Sequence, residues 1–208
     1  MNLKAPLLMV GATATAGAGV LVVKGLPNFE TKESISSFLA KDRTKRAIAD
    51  DEDWTKSWTE YKRSAKDIWR LGSDANVPSS FKSECKKRSE SKVSGIDSDE
   101  YKNFLAYCTR DTLISDLLKD SKETLLNSSE GAETDGWKSA WTRYINENKE
   151  KGSDVWAVAD FNSKKNNTNE NAPEDFRKKC ESKLGSNDIS NTDLLNQVKS
   201  WCTKPKVH

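Results

Sequence analysis

The four cysteines are the residues whose type and spacing most directly predict chemistry. Cys85 and Cys108 have 22 residues between them, and Cys180 and Cys202 have 21. Because nearly the same spacing occurs once in each copy, we expect one disulfide within each pair and not between pairs. Free buried thiols and a zinc site are the alternatives, and zinc is disfavoured because no two cysteines have the short spacing of zinc ligands. Paired cysteines predict an oxidising compartment.

The other ionisable residues give little support for catalysis. His208 is the only histidine, so a Ser–His–Asp triad or a Cys–His nucleophile has nothing on which to be built. Acidic residues cluster at 50–53 and again at Glu170, Glu174 and Asp175. A carboxylate pair for glycoside hydrolysis is one interpretation, and negative charge at a solvated helix start is the simpler one. We therefore expect no enzymatic activity, no cofactor and no metal site.

The balance of charge argues against a nucleic-acid partner. The chain has 34 basic and 32 acidic residues, with a formal net charge of +2, and the two signs are mixed along its length. Such a surface is soluble but does not steer polyanions over a distance, and a nucleic-acid-binding domain needs a basic face. We expect no nucleic acid among the partners.

The cysteines belong to an internal sequence repeat. The motif W-x3-W-x2-Y begins at Trp54 and again, 83 residues later, at Trp137. The motif P-x2-F-x3-C begins at Pro78 and again at Pro173. The order of these landmarks is the same in both copies. We predict a first repeat at residues 26–111 and a second at residues 112–208, after a segment at residues 1–25.

Apolar spacing predicts helices in both repeats. From Trp54 to Trp69 the apolar residues fall at i, i+4, i+7, i+11, i+14 and i+15, which is one face of a single helix. Pro78 suits the start of a third helix, and residues 97–100 suit the start of a fourth. Since nothing breaks a helix between Asp99 and Asn127, we expect the fourth helix to run on into the second repeat. The predicted fold class is all-α, with two small four-helix units in tandem.

The aromatic residues are expected in the cores of these units, because they share a helical face with aliphatic residues. A platform that stacks on sugars or cations is the alternative. The predicted core residues are Trp54, Trp58, Tyr61, Trp69, Phe81 and Phe104 in the first repeat, and Trp137, Trp141, Tyr144, Trp156, Phe176 and Trp201 in the second.

Residues 5–23 carry no charge. As a helix they would span about 28 Å, close to the ~30 Å hydrocarbon thickness of a bilayer. We expect a retained signal-anchor helix, with the bilayer as its partner and a single pass through the cell membrane. A signal peptide cleaved near Ala16 and a soluble buried segment are the alternatives.

Two signals disagree about the side of the membrane. Only Lys4 precedes the apolar segment, whereas six basic residues follow it: Lys24, Lys32, Lys41, Arg43, Lys45 and Arg46. This asymmetry favours a cytoplasmic position for the rest of the chain. The paired cysteines favour an extracellular position. We give the cysteines more weight, because acidic residues and distance dilute the charge signal.

Several short features together resemble a known group of proteins. They are the leader after Lys4-Ala5 with its Gly, Ala and Thr residues, the Trp54-x3-Trp58 helix and the terminal Trp201-Cys202 pair. In these the chain resembles the paralogous membrane-anchored protein families of haemotropic mycoplasmas, over most of its length. Those families have no established activity, fold or binding residues. The resemblance implies only a context, namely surface proteins of wall-less bacteria that live on red cells and vary their antigens.

The leading hypothesis is a membrane-anchored, surface-exposed, non-enzymatic protein that acts in host contact or as a variable antigen. Its partner would be a host protein or another surface protein. The alternative is a scaffold or interaction protein tethered to the inner leaflet of the membrane.

Overall fold

The computed structural model describes residues 32–205, apart from 152, 160, 168 and 169. Lys32–His208 form a compact unit of their own. The predicted anchor at residues 1–25, with its bilayer-contacting segment 5–23, lies outside the described residues. Within the described part of the chain, no helix is both long enough and apolar enough to cross a bilayer.

The described part of the first repeat, residues 32–111, contains four helices and four very short strands. In chain order they are β1 (Glu33–Ser34), α1 (Ile35–Lys41), β2 (Lys45–Ala47), α2 (Asp51–Arg63), α3 (Ser79–Glu90), β3 (Lys92–Val93), α4 (Asp99–Cys108) and β4 (Thr109–Asp111).

The second repeat has the same order of helices, with one extra helical turn. It comprises α5 (Ile114–Asp120), α6 (Asp135–Asn148), the four-residue α7 (Phe161–Lys164), α8 (Glu174–Leu184) and α9 (Thr192–Trp201). The described residues are therefore mostly helical, as predicted. Helices α1, α2, α3 and α4 correspond to α5, α6, α8 and α9.

The short strands close each repeat on itself. β1 pairs antiparallel with β3, and β2 pairs antiparallel with β4. In the second repeat the first pairing is represented by the hydrogen bond from the Ile114 N–H to the Ser186 carbonyl, 2.9 Å, where Ile35 bonds Ser91 at 3.0 Å in the first. The second pairing is represented by the isolated bridge between Leu125 and Thr203.

The prediction of one helix from Trp54 to Trp69 is wrong. Helix α2 ends at Arg63, and Ala65, Asp67 and Arg70 then adopt positive φ angles of 53°, 37° and 55°. The carboxylate of Asp67 accepts hydrogen bonds from the N–H groups of Leu71 and Gly72. An aspartate that binds backbone groups in this way competes with the helix and favours a turn.

The prediction that the fourth helix continues into the second repeat is also wrong. Helix α4 ends at Cys108, because Thr109–Asp111 pair with β2 as strand β4. The backbone groups that would continue the helix are thus used by a strand distant in sequence. Helix propensity alone does not reveal this competition.

The helix starts follow the sequence signals closely. Pro78 precedes α3 and Pro173 precedes α8, where a residue without an N–H is tolerated. Ser98 caps α4 by accepting a hydrogen bond from the Tyr101 N–H, and Asn191 caps α9 by accepting one from the Leu194 N–H. Each repeat therefore presents its last two long helices as a hairpin.

The buried side chains form one large cluster in the second repeat and two smaller clusters in the first. The two clusters of the first repeat are joined through Trp54 and Trp69, which pack against both. The first repeat therefore has the thinner core.

Candidate functional site

The two disulfides join the cysteines within each repeat, as predicted. Cys85 in α3 is bonded to Cys108 in α4 with a Cα separation of 5.4 Å, and Cys180 in α8 is bonded to Cys202 after α9 with 5.5 Å. No cysteine is free. Each bond joins the last two long helices of its repeat, and the four cysteines are therefore structural residues in this state.

Ten of the twelve predicted core residues are buried. Trp58, Tyr61, Phe81 and Phe104 lie in the first repeat, and all six predicted residues of the second repeat lie in its single cluster. Trp54 and Trp69 are only half-buried. Phe81 and its counterpart Phe176 each contact the surrounding aromatic rings, for example Trp58–Phe81 at 5.0 Å and Trp141–Phe176 at 5.2 Å between centroids.

The buried indoles do not form an open stacking platform. Trp58, Trp137 and Trp141 are at most 1% exposed, so no ligand reaches their faces in this state. Cations lie over the indole rings of Trp69 and Trp156. The Arg88 guanidinium is 4.7 Å from the centre of the Trp69 ring, and the Lys183 ammonium is 5.0 Å from the centre of the Trp156 ring. These contacts come from within each repeat, and the cations cover the edge of its core.

A tyrosine–aspartate contact recurs in both repeats and was not anticipated from the sequence. The Tyr61 hydroxyl donates to Asp67 at 2.9 Å and accepts from the Trp69 N–H at 2.8 Å. The Tyr144 hydroxyl likewise donates to Asp154 and accepts from the Trp156 N–H at 3.1 Å. The signal in the sequence is the motif D-x-W-x-L/V, which runs from Asp67 to Leu71 and again from Asp154 to Val158.

The environment of these tyrosines opposes their ionisation. Burial raises the pKa of Tyr61 to about 12, helped by the nearby Asp67 carboxylate and only partly offset by the Trp69 N–H. Burial and Asp154 raise the pKa of Tyr144 in the same way. Both hydroxyls are therefore neutral donors at ordinary pH.

The acidic clusters proposed from the sequence serve the fold. Asp50 caps α2 by accepting a hydrogen bond from the Asp53 N–H at 2.9 Å. In the later cluster Glu174 pairs with Lys178 at 2.6 Å, Asp175 accepts from the Ala159 N–H at 2.8 Å, and Glu170 is exposed.

The most concentrated ionic cluster joins the two repeats around Arg110 of β4. Its guanidinium makes two hydrogen bonds to Asp116 of α5, at 2.6 and 3.0 Å, and its Nε lies 3.1 Å from Asp53 of α2. Two-point pairing with a carboxylate is the strongest geometry open to arginine. Arg110 therefore fixes α5 of the second repeat against the first.

Neighbouring groups extend this connection between the repeats. Arg46 of β2 pairs with Asp120 of α5. Asp111 accepts hydrogen bonds from Lys45 at 2.7 Å and from Asn187, before α9, at 3.0 Å. We call Arg46, Arg110, Asp53, Asp116 and Asp120 the inter-repeat ion cluster.

Asp116 is the most buried carboxylate of that cluster, with 10% of its side chain exposed. Burial acts to raise its pKa, but hydrogen bonds from Arg110 and from the Leu113 N–H outweigh burial and lower it. The carboxylate is therefore held in its charged form.

Beside the ion cluster lies a cleft of about 940 Å³ whose walls come from both repeats. Helix α1 and strand β2 supply one side, and helices α5 and α9 supply the other. We call it the inter-repeat cleft. The leucines among its lining residues are Leu39, Leu117, Leu118 and Leu195, and the cations are Arg43, Lys45, Arg46, Arg110 and Lys199.

Two buried polar atoms at this cleft have no hydrogen-bond partner in the described part of the protein. They are the hydroxyl oxygen of Thr112 and the Nε of Arg46. Thr112 is 1% exposed. Buried polar groups are nearly always paired, so these two atoms are exceptions in the wall of the cleft.

Sequence reasoning did not find the cleft. Its lining residues belong to five elements that are distant in the chain, namely α1, β2, β4, α5 and α9. Among the described residues no group of three or more metal-binding side chains is assembled. No protein-family model, no curated protein and no solved structure matches this chain.

Proposed function

We propose that this chain is a non-enzymatic protein of the cell surface, anchored by residues 5–23 and displaying residues 32–208 outside the cell. There it would act in host contact or as a variable antigen. The observation that carries the proposal is the pair of disulfides, one in each repeat and at equivalent positions. Disulfides of this structural kind persist in oxidising environments.

The structure of the repeats supports display at the surface over a catalytic role. Each core contains several buried aromatic rings, and each repeat has a disulfide at the same helical hairpin. Staples are typical of small exported units with limited cores. The acidic clusters cap helices or take part in ion pairs, and those roles account for their presence without chemistry.

The orientation and the redox state are tested together by labelling thiols in intact cells with a reagent that does not cross membranes. We expect labelling only after reduction with an impermeant reductant. A mutant in which Cys85 and Cys108 are both alanine should then lose half of the signal. Four thiols that are free in the cell and reached only after lysis would contradict the proposal and support the inner-leaflet scaffold.

Host contact is tested with the disulfide-intact segment 32–208. We expect it to bind red cells or an isolated red-cell surface protein saturably, and we expect the same segment to lose binding after reduction and alkylation. Protease treatment of intact cells should release it from the surface. Resistance to protease, combined with an absence of binding, would contradict the proposal.

A further inference from the structure

We propose that the inter-repeat cleft binds a small organic acid that carries a single negative charge and an apolar tail. The inference concerns this cleft alone and is independent of the side of the membrane on which the protein is displayed.

The size and the apolar lining of the cleft suit such a tail. Its volume of about 940 Å³ lies in the usual range for small-molecule sites, about 300–1,000 Å³. Leu39 of α1, Leu117 of α5 and Leu195 of α9 line it and are each only half-buried. Apolar surface from three helices is therefore open to the cleft, and an aliphatic chain would cover it.

The charges of the cleft leave room for one acidic group. Four of its five lining cations are engaged with carboxylates: Lys45 with Asp111, Arg46 with Asp120, Arg110 with Asp116 and Lys199 with Glu123. The lining carboxylates are Asp120, which pairs with Arg46, and Asp42, which accepts hydrogen bonds from the N–H and the hydroxyl of Thr44 at 2.8 and 2.7 Å. Arg43 makes no ion pair in the part of the chain that the structure describes. One available guanidinium favours a carboxylate over a multiply charged phosphate.

The two unpaired polar atoms belong to residues that line the same cleft as Arg43. The Thr112 hydroxyl is a donor that is free to rotate, and the Arg46 Nε carries an N–H. That Nε lies 3.6 Å from the nearest Asp116 oxygen, which is too long for a hydrogen bond. Both atoms are closed to solvent in this state. A carboxylate therefore reaches them only when the Thr112 and Arg46 side chains turn towards the cleft, while its aliphatic tail covers the leucines.

The binding experiment uses residues 32–208, because both cores, both disulfides and the whole cleft lie within that compact unit. The probes are octanoate, acetate, which has the head alone, and octanol, which has the tail alone. By calorimetry we expect one octanoate per chain, with acetate and octanol weaker by about tenfold or more. A folded protein that binds no octanoate would overturn the proposal.

Two variants locate the site. Arg43→Ala should weaken octanoate binding by about tenfold or more, since a charge-assisted contact is lost. The control Arg63→Ala removes an exposed arginine whose one ion pair among the described residues is with Glu60, and it should leave binding unchanged. Equal affinity of Arg43→Ala and the unaltered protein would place the acid elsewhere.

Thr112→Val separates binding from folding, because it keeps the shape of the side chain and removes only the hydroxyl. The free protein should lose no stability, since that hydroxyl has no partner there, while octanoate affinity should fall by about threefold to tenfold. A destabilised variant with unchanged affinity would contradict the assignment. Arg43-dependent binding to phosphatidylglycerol vesicles without binding of octanoate would indicate a membrane surface in place of a small acid.

Discussion

Trp58 and Trp54 lie one turn apart on α2 but occupy different environments. Trp58 is 1% exposed, stacks on Tyr61 and donates from its indole N–H to the Asp74 carbonyl at 2.9 Å. Trp54 is half-buried, with Lys82 over its ring at 5.8 Å. The W-x3-W motif predicts the same role for both, because spacing specifies a helical face and not how much of that face is covered.

The first prediction compares these two tryptophans. Trp58→Ala should lower the free energy of unfolding by about 3–5 kcal/mol, as other buried aromatic truncations do. Trp54→Ala should cost clearly less, because part of its surface is already in water. Urea denaturation of both variants measures this. Equal losses would mean that Trp54 is covered in solution and that the first repeat is better packed than the structure shows.

The second prediction concerns pH and Tyr61. Its pKa is raised from 10.0 to about 12, so the folded state holds the phenolic proton more tightly than the unfolded chain. The stabilisation that this provides is fully present below pH 10 and is lost as the pH rises from 10 towards 12. We therefore expect stability to fall in that range, and to fall less steeply in Tyr61→Phe.

Urea denaturation at several alkaline pH values tests this expectation. Some decline should remain in Tyr61→Phe, because the pKa values of Tyr101 and Tyr144 are also raised. Since every cysteine is paired, no free thiolate is present to start disulfide exchange. Identical slopes for the variant and the unaltered protein would show that Tyr61 does not titrate in that range.

At the scale of elements, the sequence predicts the helix boundaries that are set by neighbouring residues. Pro78, Ser98 and Asn191 mark helix starts, and the structure uses all three there. The end of α2 was missed because the competing bonds come from the Asp67 side chain. The end of α4 was missed because strand β4 pairs with residues more than sixty positions earlier, a contact that local propensity does not encode.

The third prediction concerns the helical hairpins and their disulfides. Replacing Cys85 and Cys108 by alanine should cost about 3 kcal/mol, and replacing Cys180 and Cys202 should cost about the same, because the closed loops are nearly equal in length. The sequence separations are 23 and 22. Urea denaturation of the two double variants checks this. A difference between them of about 2 kcal/mol or more would mean that packing in the folded state outweighs loop closure.

At the scale of the whole molecule, the two repeats are held together by charged residues that are not duplicated between the two copies. The counterparts of Asp116 and Asp120 in the first repeat are Ser37 and Lys41, as the alignment of Ile35 with Ile114 shows. The counterparts of Arg46 and Arg110 in the second repeat are Thr124 and Lys204. A search for repeated motifs therefore passes over the contact between the repeats.

The fourth prediction tests that contact. Arg110→Ala leaves the mostly buried Asp116 carboxylate without its main partner, and we expect a loss of about 2 kcal/mol, less than for a fully buried pair. The control Lys178→Ala removes an exposed ion pair with Glu174 and should give no measurable change. Denaturation of both variants makes the comparison. If the two variants were equally stable, the ion cluster would contribute nothing to the association of the repeats.

The last prediction concerns association between chains. Each repeat carries only one of the two sets of opposite charges that join the repeats. The first repeat offers the arginines Arg46 and Arg110, and the second offers Asp116 and Asp120. A head-to-tail contact between two chains would instead bring Lys204 and Thr124 towards Ser37 and Lys41, without an opposite charge. We therefore expect residues 32–208 to sediment as a monomer.

Installing the missing charges should create an association that the natural chain lacks. One variant carries Thr124→Arg and Lys204→Arg, and the other carries Ser37→Asp and Lys41→Asp. Mixed together, the two should form a concentration-dependent complex in sedimentation that weakens with added salt, because opposite charges at a partly exposed surface are screened. Each variant alone should remain monomeric. If the natural segment already forms chains, or if the mixture stays monomeric while both variants are folded, then charge at these positions does not limit how the repeats stack.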